Sequence, residues 1–258
     1  MFMIGIIGGT GVYDPELLED AKQIKVFTPY GPPSDLITTG FIKNKEIAFI
    51  PRHGYNHTIP PHRINNKANI WAFKELGADR ILAICATGSL KEDYKPCEIV
   101  IPDQFIDFGK NVETFYDGGK VCHVSMADPF CPELREILIN IIKKLKIPLH
   151  DKGTYLRISG PQFSTRAASR MYKMFADLIG MTGVAEAILS RELGICFSII
   201  STITDYDVWS NKPVSADEIK AVMSKNLENV RKIVESVIVQ IPEQRSCCCK
   251  YSLKGAEV

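Results

Sequence analysis

Two carboxylates and two anion-binding segments hold the reactive potential of this sequence. Thr204-Asp205-Tyr206-Asp207 closes an apolar run, Ile195 to Ile203, that reads as a buried strand. Carboxylates leaving such a strand are poorly solvated unless something pairs with them. Their alternation in an extended segment puts both on one side. A heterocycle with N–H donors and a protonatable ring nitrogen meets that need; ordinary turn contacts in a loop are the plainer alternative. Gly8-Gly9-Thr10-Gly11 follows a short apolar run and fits neither the GxGxxG nor the GxxxxGK[ST] pattern. Its glycines let the backbone turn tightly and present N–H groups to an anion, and Thr10 adds a hydroxyl. Arg52-His53-Gly54 also follows an apolar run, and the Arg52 fork suits phosphate. Phosphate and a nitrogen-rich base are therefore the ligands these residue types select.

Gly180-Met181-Thr182 opens a helical stretch with Glu186 one turn inside. A hydroxyl and free N–H groups there suit phosphate or sugar oxygens, or serve as a plain N-cap. His53 and His57 have the spacing of a metal pair, but no carboxylate lies between them and Pro60-Pro61 excludes a continuous helix. No metal is expected. The eight cysteines lack the paired CxxC spacing of a zinc site. Cys85, Cys97, Cys122, Cys131 and Cys196 read as small buried hydrophobes. Cys247-Cys248-Cys249 cannot all be core in so polar a segment. A Cys131–Cys196 bridge is one further reading, since hyperthermophile interiors tolerate disulfides.

The elements that position these residues alternate between strand and helix. Apolar runs at Met3–Ile7, Ile47–Pro51, Arg80–Ala86, Glu98–Ile101 and Ile195–Thr204 read as strands. Helical periodicity spans Asn65–Leu76, Pro129–Leu145, Ser164–Phe175, Thr182–Leu193 and Ser215–Val239. Asp128 is the expected N-cap of the second helix, and Ser215 with Glu218 forms a capping-box signature for the last. This alternation predicts an α/β fold, one domain built on a central sheet. Gly8, Arg52, Ala86 and Asp205 all sit just past strand ends, where ligands gather in such sheets. The domain is expected over 1–241, followed by a polar, cysteine-bearing tail at 242–258 without chemistry of its own.

Bulk properties exclude several classes. The net charge of +1, from 31 basic and 30 acidic residues, disfavours nucleic-acid binding. No apolar run is long enough to span a membrane, and the N-terminal residues lack a signal-peptide pattern, so a cytoplasmic protein is expected. Abundant Ile, Lys and Glu with few Gln suit a thermophile.

Eight segments in order resemble the trimeric purine nucleoside phosphorylase superfamily, most closely its methylthioadenosine phosphorylase branch. They are Gly5–Gly11, Pro51–Gly54, Asn69–Ala72, Gly88–Leu90, Ile101–Asp107, Gly160–Arg166, Gly180–Thr182 and Thr204–Asp207. The resemblance implies a mixed central β-sheet flanked by helices and phosphorolysis of methylthioadenosine to adenine and 5-methylthioribose 1-phosphate. The alternatives are a broader purine nucleoside phosphorylase, acting on adenosine, inosine or guanosine, and a non-catalytic purine-binding homologue. By the same resemblance Thr10, Arg52, His53, Cys85, Ala86 and Thr182 hold phosphate. Met181 lies under the ribose, Phe163 stacks on the base, and Asp205 and Asp207 bind the purine, Asp207 acting as acid. His123 matches a residue that reaches the neighbouring subunit's 5′ pocket. The family uses no cofactor, takes inorganic phosphate as co-substrate, and works as trimers or dimers of trimers. Departures are Gln162 for a common Arg, Ala168 for Glu, Ala185 for Pro, and Cys85 for a hydroxyl-bearing residue.

Overall fold

The computed structural model describes residues 2–9, 18–210 and 213–258. β1 (Met3–Gly8) is buried at every position and pairs in parallel with β4 (Lys45–Pro51) on one side and β5 (Ala78–Ser89) on the other. Burial on both faces explains its unbroken apolar run. The side chains alternate between two cores. Ile4 and Ile6 join Leu82, Ile200 and the helices α2 (Pro132–Lys144) and α5 (Ala216–Ile238). Met3 and Ile7 join Ile81, Ile199 and the helices α1 (Asn66–Glu75) and α4 (Gly183–Glu192). Each fully buried Ile in these layers stabilises the fold by roughly 1.5–3 kcal/mol.

Among the described residues one mixed sheet contains the remaining strands. These are β2 (Glu19–Ile24), β3 (Ile37–Ile42), β6 (Ile99–Val100), β7 (Gln104–Phe108), β8 (Leu149–His150), β9 (Thr154–Ile158), β10 (Leu178–Gly180) and β11 (Cys196–Asp205). The main path runs β2-β3-β4-β1-β5-β10-β9-β7. β5 forks: Arg80–Gly88 pairs in parallel with β11, while Gly88 and Ser89 pair antiparallel with β10. Its branches leave a cleft at the ends of β4, β5, β10 and β11.

Several expectations need correction. The second helix begins at Pro132, not Pro129, and its N-cap is Cys131, not Asp128. Pro132 is the residue with the preset φ at the first helical turn, and the Cys131 N–H is held by the Phe197 carbonyl at 2.8 Å. The third helix, α3, is shorter than its pattern (Arg166–Tyr172), with Thr165 accepting from the Ala168 N–H as N-cap. The Ser215 cap forms as expected, accepting from Glu218 N–H at 3.2 Å. The last residues do not trail away from the body. Cys249 and Ala256 are buried, and Cys122 pairs with Glu257. All eight cysteines are free thiols, so the Cys131–Cys196 bridge is not formed. No helix of the described residues is long and apolar enough to cross a membrane.

Candidate active site

The cleft encloses about 240 Å³ and collects residues from the ends of β4, β5, β10 and β11 and from the start of α5. Ala86, Thr182, Met181, Phe163, Asp205, Asp207, Arg52 and His53 all line it. Eight of the eleven expected site residues therefore meet in one place, although up to 155 positions separate them in the chain (Asp207 against Arg52). Thr10 lies outside the described residues.

At the base of the cleft Arg52 is almost fully enclosed, 1% exposed, and meets an equally enclosed Glu186. The contact is bidentate: Nε donates to Oε1 at 2.5 Å and Nη2 to Oε2 at 3.0 Å. Nη1 donates to the Ile84 carbonyl at 2.7 Å, and Nη2 also reaches Cys85 Sγ at 3.8 Å. Of the guanidinium's N–H donors, one on Nη1 is left over for a ligand. Burial alone would lower the Arg52 pKa, but the Glu186 carboxylate outweighs it and holds the cation above its ordinary range. Only a glycine fits at position 9, where an added Cβ would collide with the Ile84 carbonyl and the Arg52 guanidinium. Gly9 thus makes room for the arginine. Glu186 was visible in the sequence only as a carboxylate one turn inside a helix; its partner lies 134 positions away.

His53 stacks on His57 with ring centroids 4.3 Å apart. Its Nδ1 lies 2.8 Å from the Ile59 carbonyl, which can only accept, so Nδ1 carries the hydrogen. Burial, then the adjacent Arg52 charge, hold its pKa down at about 3. The ring is therefore neutral at pH 7, and Nε2 is an acceptor.

Thr182 is the N-cap of α4, yet its side chain makes no capping bond. Its hydroxyl stays available beside the helix N-terminus, where free N–H groups favour anions. Cys85 does not line the cleft. It lies behind Ala86 with Sγ 3.9 Å from Thr182 Oγ1, and burial pushes its thiol up to about 11. The neutral thiol packs between Arg52 Nη2, at 3.8 Å, and Thr182 Oγ1.

The carboxylates occupy the other end of the cleft, but not by strand alternation. The strand stops at Asp205, and Asp207 begins a 3-10 turn (Asp207–Trp209) with φ of 48°. A non-glycine residue in the left-handed region marks local strain, which often accompanies a functional position. The Asp207 N–H donates to Asp205 Oδ1 at 2.7 Å, and Thr204 Oγ1 donates to Asp205 Oδ2 at 2.7 Å. Both Asp205 oxygens therefore have internal partners. Asp207 Oδ2 is buried without a well-aligned hydrogen bond, and the Ser164 and Ser169 hydroxyls stand close enough to the carboxylate to oppose the effect of burial on its pKa. Burial raises the pKa of Asp207; burial and then the neighbouring Asp207 charge raise that of Asp205 despite the Thr204 hydrogen bond. Gly88 lets the pair approach, since a Cβ there would lie 2.9 Å from Asp205 Oδ1. Arg166 secures the turn by donating to the Val208 and Ser210 carbonyls, both at 3.4 Å.

Phe163, 42% exposed, covers the cleft opposite Ile179 and Met181, and Val214 and Ile219 supply an apolar wall. Lys220 stands at the rim, near enough to His57 to depress its pKa after burial has done so. Neither Lys220 nor Arg166 was singled out for the site, because their roles depend on where α5 and α3 begin. His123 is exposed and does not reach this cleft.

A family model described as the phosphorylase superfamily matches residues 3–239. S-methyl-5′-thioadenosine phosphorylase of Pyrococcus horikoshii is 58% identical over 252 residues, 97% of each chain. The chain belongs to this superfamily, on its methylthioadenosine phosphorylase branch. The enzyme of the same name from Nitrosopumilus maritimus is 54% identical over 256 residues, covering 98% of this chain and 97% of its own. Among solved structures, a methylthioadenosine phosphorylase from an antarctic soil metagenomic library superposes with a TM-score of 0.93 at 42% identity, covering 99% of this chain and 92% of its own. The Schistosoma mansoni enzyme in complex with adenine gives 0.91 at 35% identity, over 95% of this chain and 93% of its own.

Proposed function

We propose that the chain catalyses phosphorolysis of 5′-methylthioadenosine to adenine and 5-methylthioribose 1-phosphate. The observation that carries this reading is the buried Asp207 carboxylate, held beside Asp205 and set across one cleft from a fixed arginine. A base with a protonatable ring nitrogen is a partner that such a carboxyl group can serve. A raised carboxyl pKa favours the protonated form of Asp207, which delivers its proton to N7 as the glycosidic bond breaks, so the base leaves neutral. Asp205, already anchored, accepts from the 6-amino group with its remaining lone pairs.

At the opposite end the spare Arg52 N–H, the Thr182 hydroxyl and the α4 N-terminus hold phosphate. Neutral His53 accepts a hydrogen bond from the phosphate O–H through Nε2, a contact that a protonated imidazole could not make. The bound anion then faces the developing oxocarbenium ion, which it stabilises by proximity and charge. Met181 supports the ribose and Phe163 stacks on the base. The apolar wall of Val214 and Ile219 suits a methylthio group better than a hydroxyl.

Nothing in this scheme requires a cofactor; phosphate is a co-substrate. His123, exposed and outside its own cleft, serves the neighbouring subunit's 5′ pocket in a trimer or dimer of trimers, and the enzyme works in the cytoplasm. The test of the carrying observation is Asp207→Asn. It keeps the shape and removes the acid, and turnover is expected to fall at least about 100-fold. Near-normal turnover in that variant removes Asp207 from the role.

A further inference from the structure

Asp207 Oδ2 lies buried without a well-aligned hydrogen bond, so the place of this carboxyl group depends on the turn that carries it. That turn begins in the left-handed region, a conformation an aspartate keeps only where its surroundings enforce it. Two of the enforcing contacts are local. The Asp207 N–H donates to Asp205 Oδ1 at 2.7 Å, and Ser210 Oγ donates to the Asp207 carbonyl at 3.1 Å. The Arg166 contacts from α3 are long, both 3.4 Å. A short bond ties the turn to the sheet: Trp209 Nε1 donates to the Ser89 carbonyl at 2.7 Å.

Both ends of that bond are themselves fixed. Ser89 is fully buried, closes β5 and pairs with Leu178 of β10. The indole ring packs on the apolar cluster that includes Leu90 and Ile179. Lys173, the C-cap of α3, holds its Nζ 3.6 Å from the ring centroid and is itself paired with Glu92 at 3.1 Å. Tyr206 meets the ring edge-on, with centroids 5.7 Å apart. A half-buried indole needs an acceptor for its N–H wherever it lies. What that need leaves unexplained is the placement: the donor is two residues after Asp207, and the acceptor directly follows Gly88, the glycine against which Asp205 packs.

We infer that Trp209 is a positioning residue, whose bond to the Ser89 carbonyl fixes the Asp207 turn against the end of β5 and so holds the acid at the base end of the cleft. The inference rests on the reaction proposed above, in which Asp207 is the acid. Trp209 does not line the cleft and acts only through the turn.

The test is Trp209→Phe, which keeps an aromatic ring and removes the donor, assayed beside Asp207→Asn with methylthioadenosine and phosphate. A displacement of about 1 Å costs on the order of 100-fold in rate, so kcat is expected to fall by about 10- to 100-fold. The phosphate KM should stay within about threefold, because the far end of the cleft is untouched. The chain has two tryptophans, Trp71 and Trp209, so Trp71→Phe assigns the Trp209 indole N–H in a proton–nitrogen spectrum. That hydrogen should exchange slowly and should shift when adenine binds. A kcat for Trp209→Phe within about threefold of wild type, with only the melting temperature lowered, marks a structural role and overturns the inference. If Asp207→Asn loses its turnover in the same assay, the proposed reaction stands without Trp209; if Asp207→Asn turns over normally, the acid and its positioning residue fall together. Should Trp209→Phe fail to fold, the indole resonance decides: fast exchange, or no shift with adenine, overturns the role.

Discussion

Removing Glu186 probes the structure most sharply. Glu186→Ala strips both hydrogen-bonded oxygens from an arginine that is 1% exposed. Breaking one side of a buried ion pair costs about 3–5 kcal/mol, because the remaining charge stays buried and uncompensated. For a chain of this size each kcal/mol moves the melting temperature by roughly 2–4 °C, so a drop of about 6–20 °C is expected. The catalytic effect is separate. Without its anchor the guanidinium swings away from the proposed phosphate position, and a displacement of about 1 Å costs on the order of 100-fold in rate. The assays are thermal unfolding and initial rates over a range of phosphate concentrations. The apolar double replacement Arg52→Met, Glu186→Leu separates the two effects. It should recover most of the lost stability, since well-packed apolar pairs of similar volume are often as stable as the ion pair. Its phosphorolysis should remain abolished. A melting temperature for Glu186→Ala within about 2 °C of wild type, or a phosphate KM unchanged within about threefold, would refute the reasoning.

Further expectations follow from the same geometry. In the proposed reaction protonated Asp207 is the acid, and its pKa is raised by burial, so kcat should fall as pH rises through that raised value; Asp207→Asn should lose this limb, and an identical limb in the variant would assign it elsewhere. His53 is held neutral by a pKa of about 3, below its ordinary 6.5, so the folded state binds fewer protons than the unfolded state between these values. Stability should therefore fall as pH drops from about 6.5 toward about 3, and His53→Asn should flatten that slope in acid-melting curves. Gly88→Ala places a Cβ 2.9 Å from Asp205 Oδ1, the end of a side chain that can shift. The protein should fold but lose at least about tenfold in kcat/KM for the nucleoside, with the phosphate KM little changed; a normal kcat/KM would show that the close approach is idle.

Much of this was legible from the residues in order. Buried strands such as β1 and β11 declare themselves by unbroken apolar runs, and Ser215 with Glu218 marks the start of α5. The peripheral strands are hidden. β7 and β9 pair Asp107 with Arg157, whose side chains meet at 2.7 Å, so a charge pair interrupts the apolar signal. The Asp205 and Asp207 pair could be placed on one side of the chain, but the reason could not: a left-handed Asp207 turned by its own N–H onto Asp205 replaces strand alternation. Arg52 was legible as a candidate anion ligand at a strand end, whereas Glu186, which accepts two of its N–H donors, was not, because that contact exists only once α4 packs against the strand ends.

The most direct test is adenine release from methylthioadenosine by the wild-type protein, with and without inorganic phosphate, with the sugar product followed by phosphorus NMR. The account predicts adenine only when phosphate is present, with one sugar 1-phosphate formed per base released. Adenine release at the same rate without phosphate, accompanied by free methylthioribose, would contradict it.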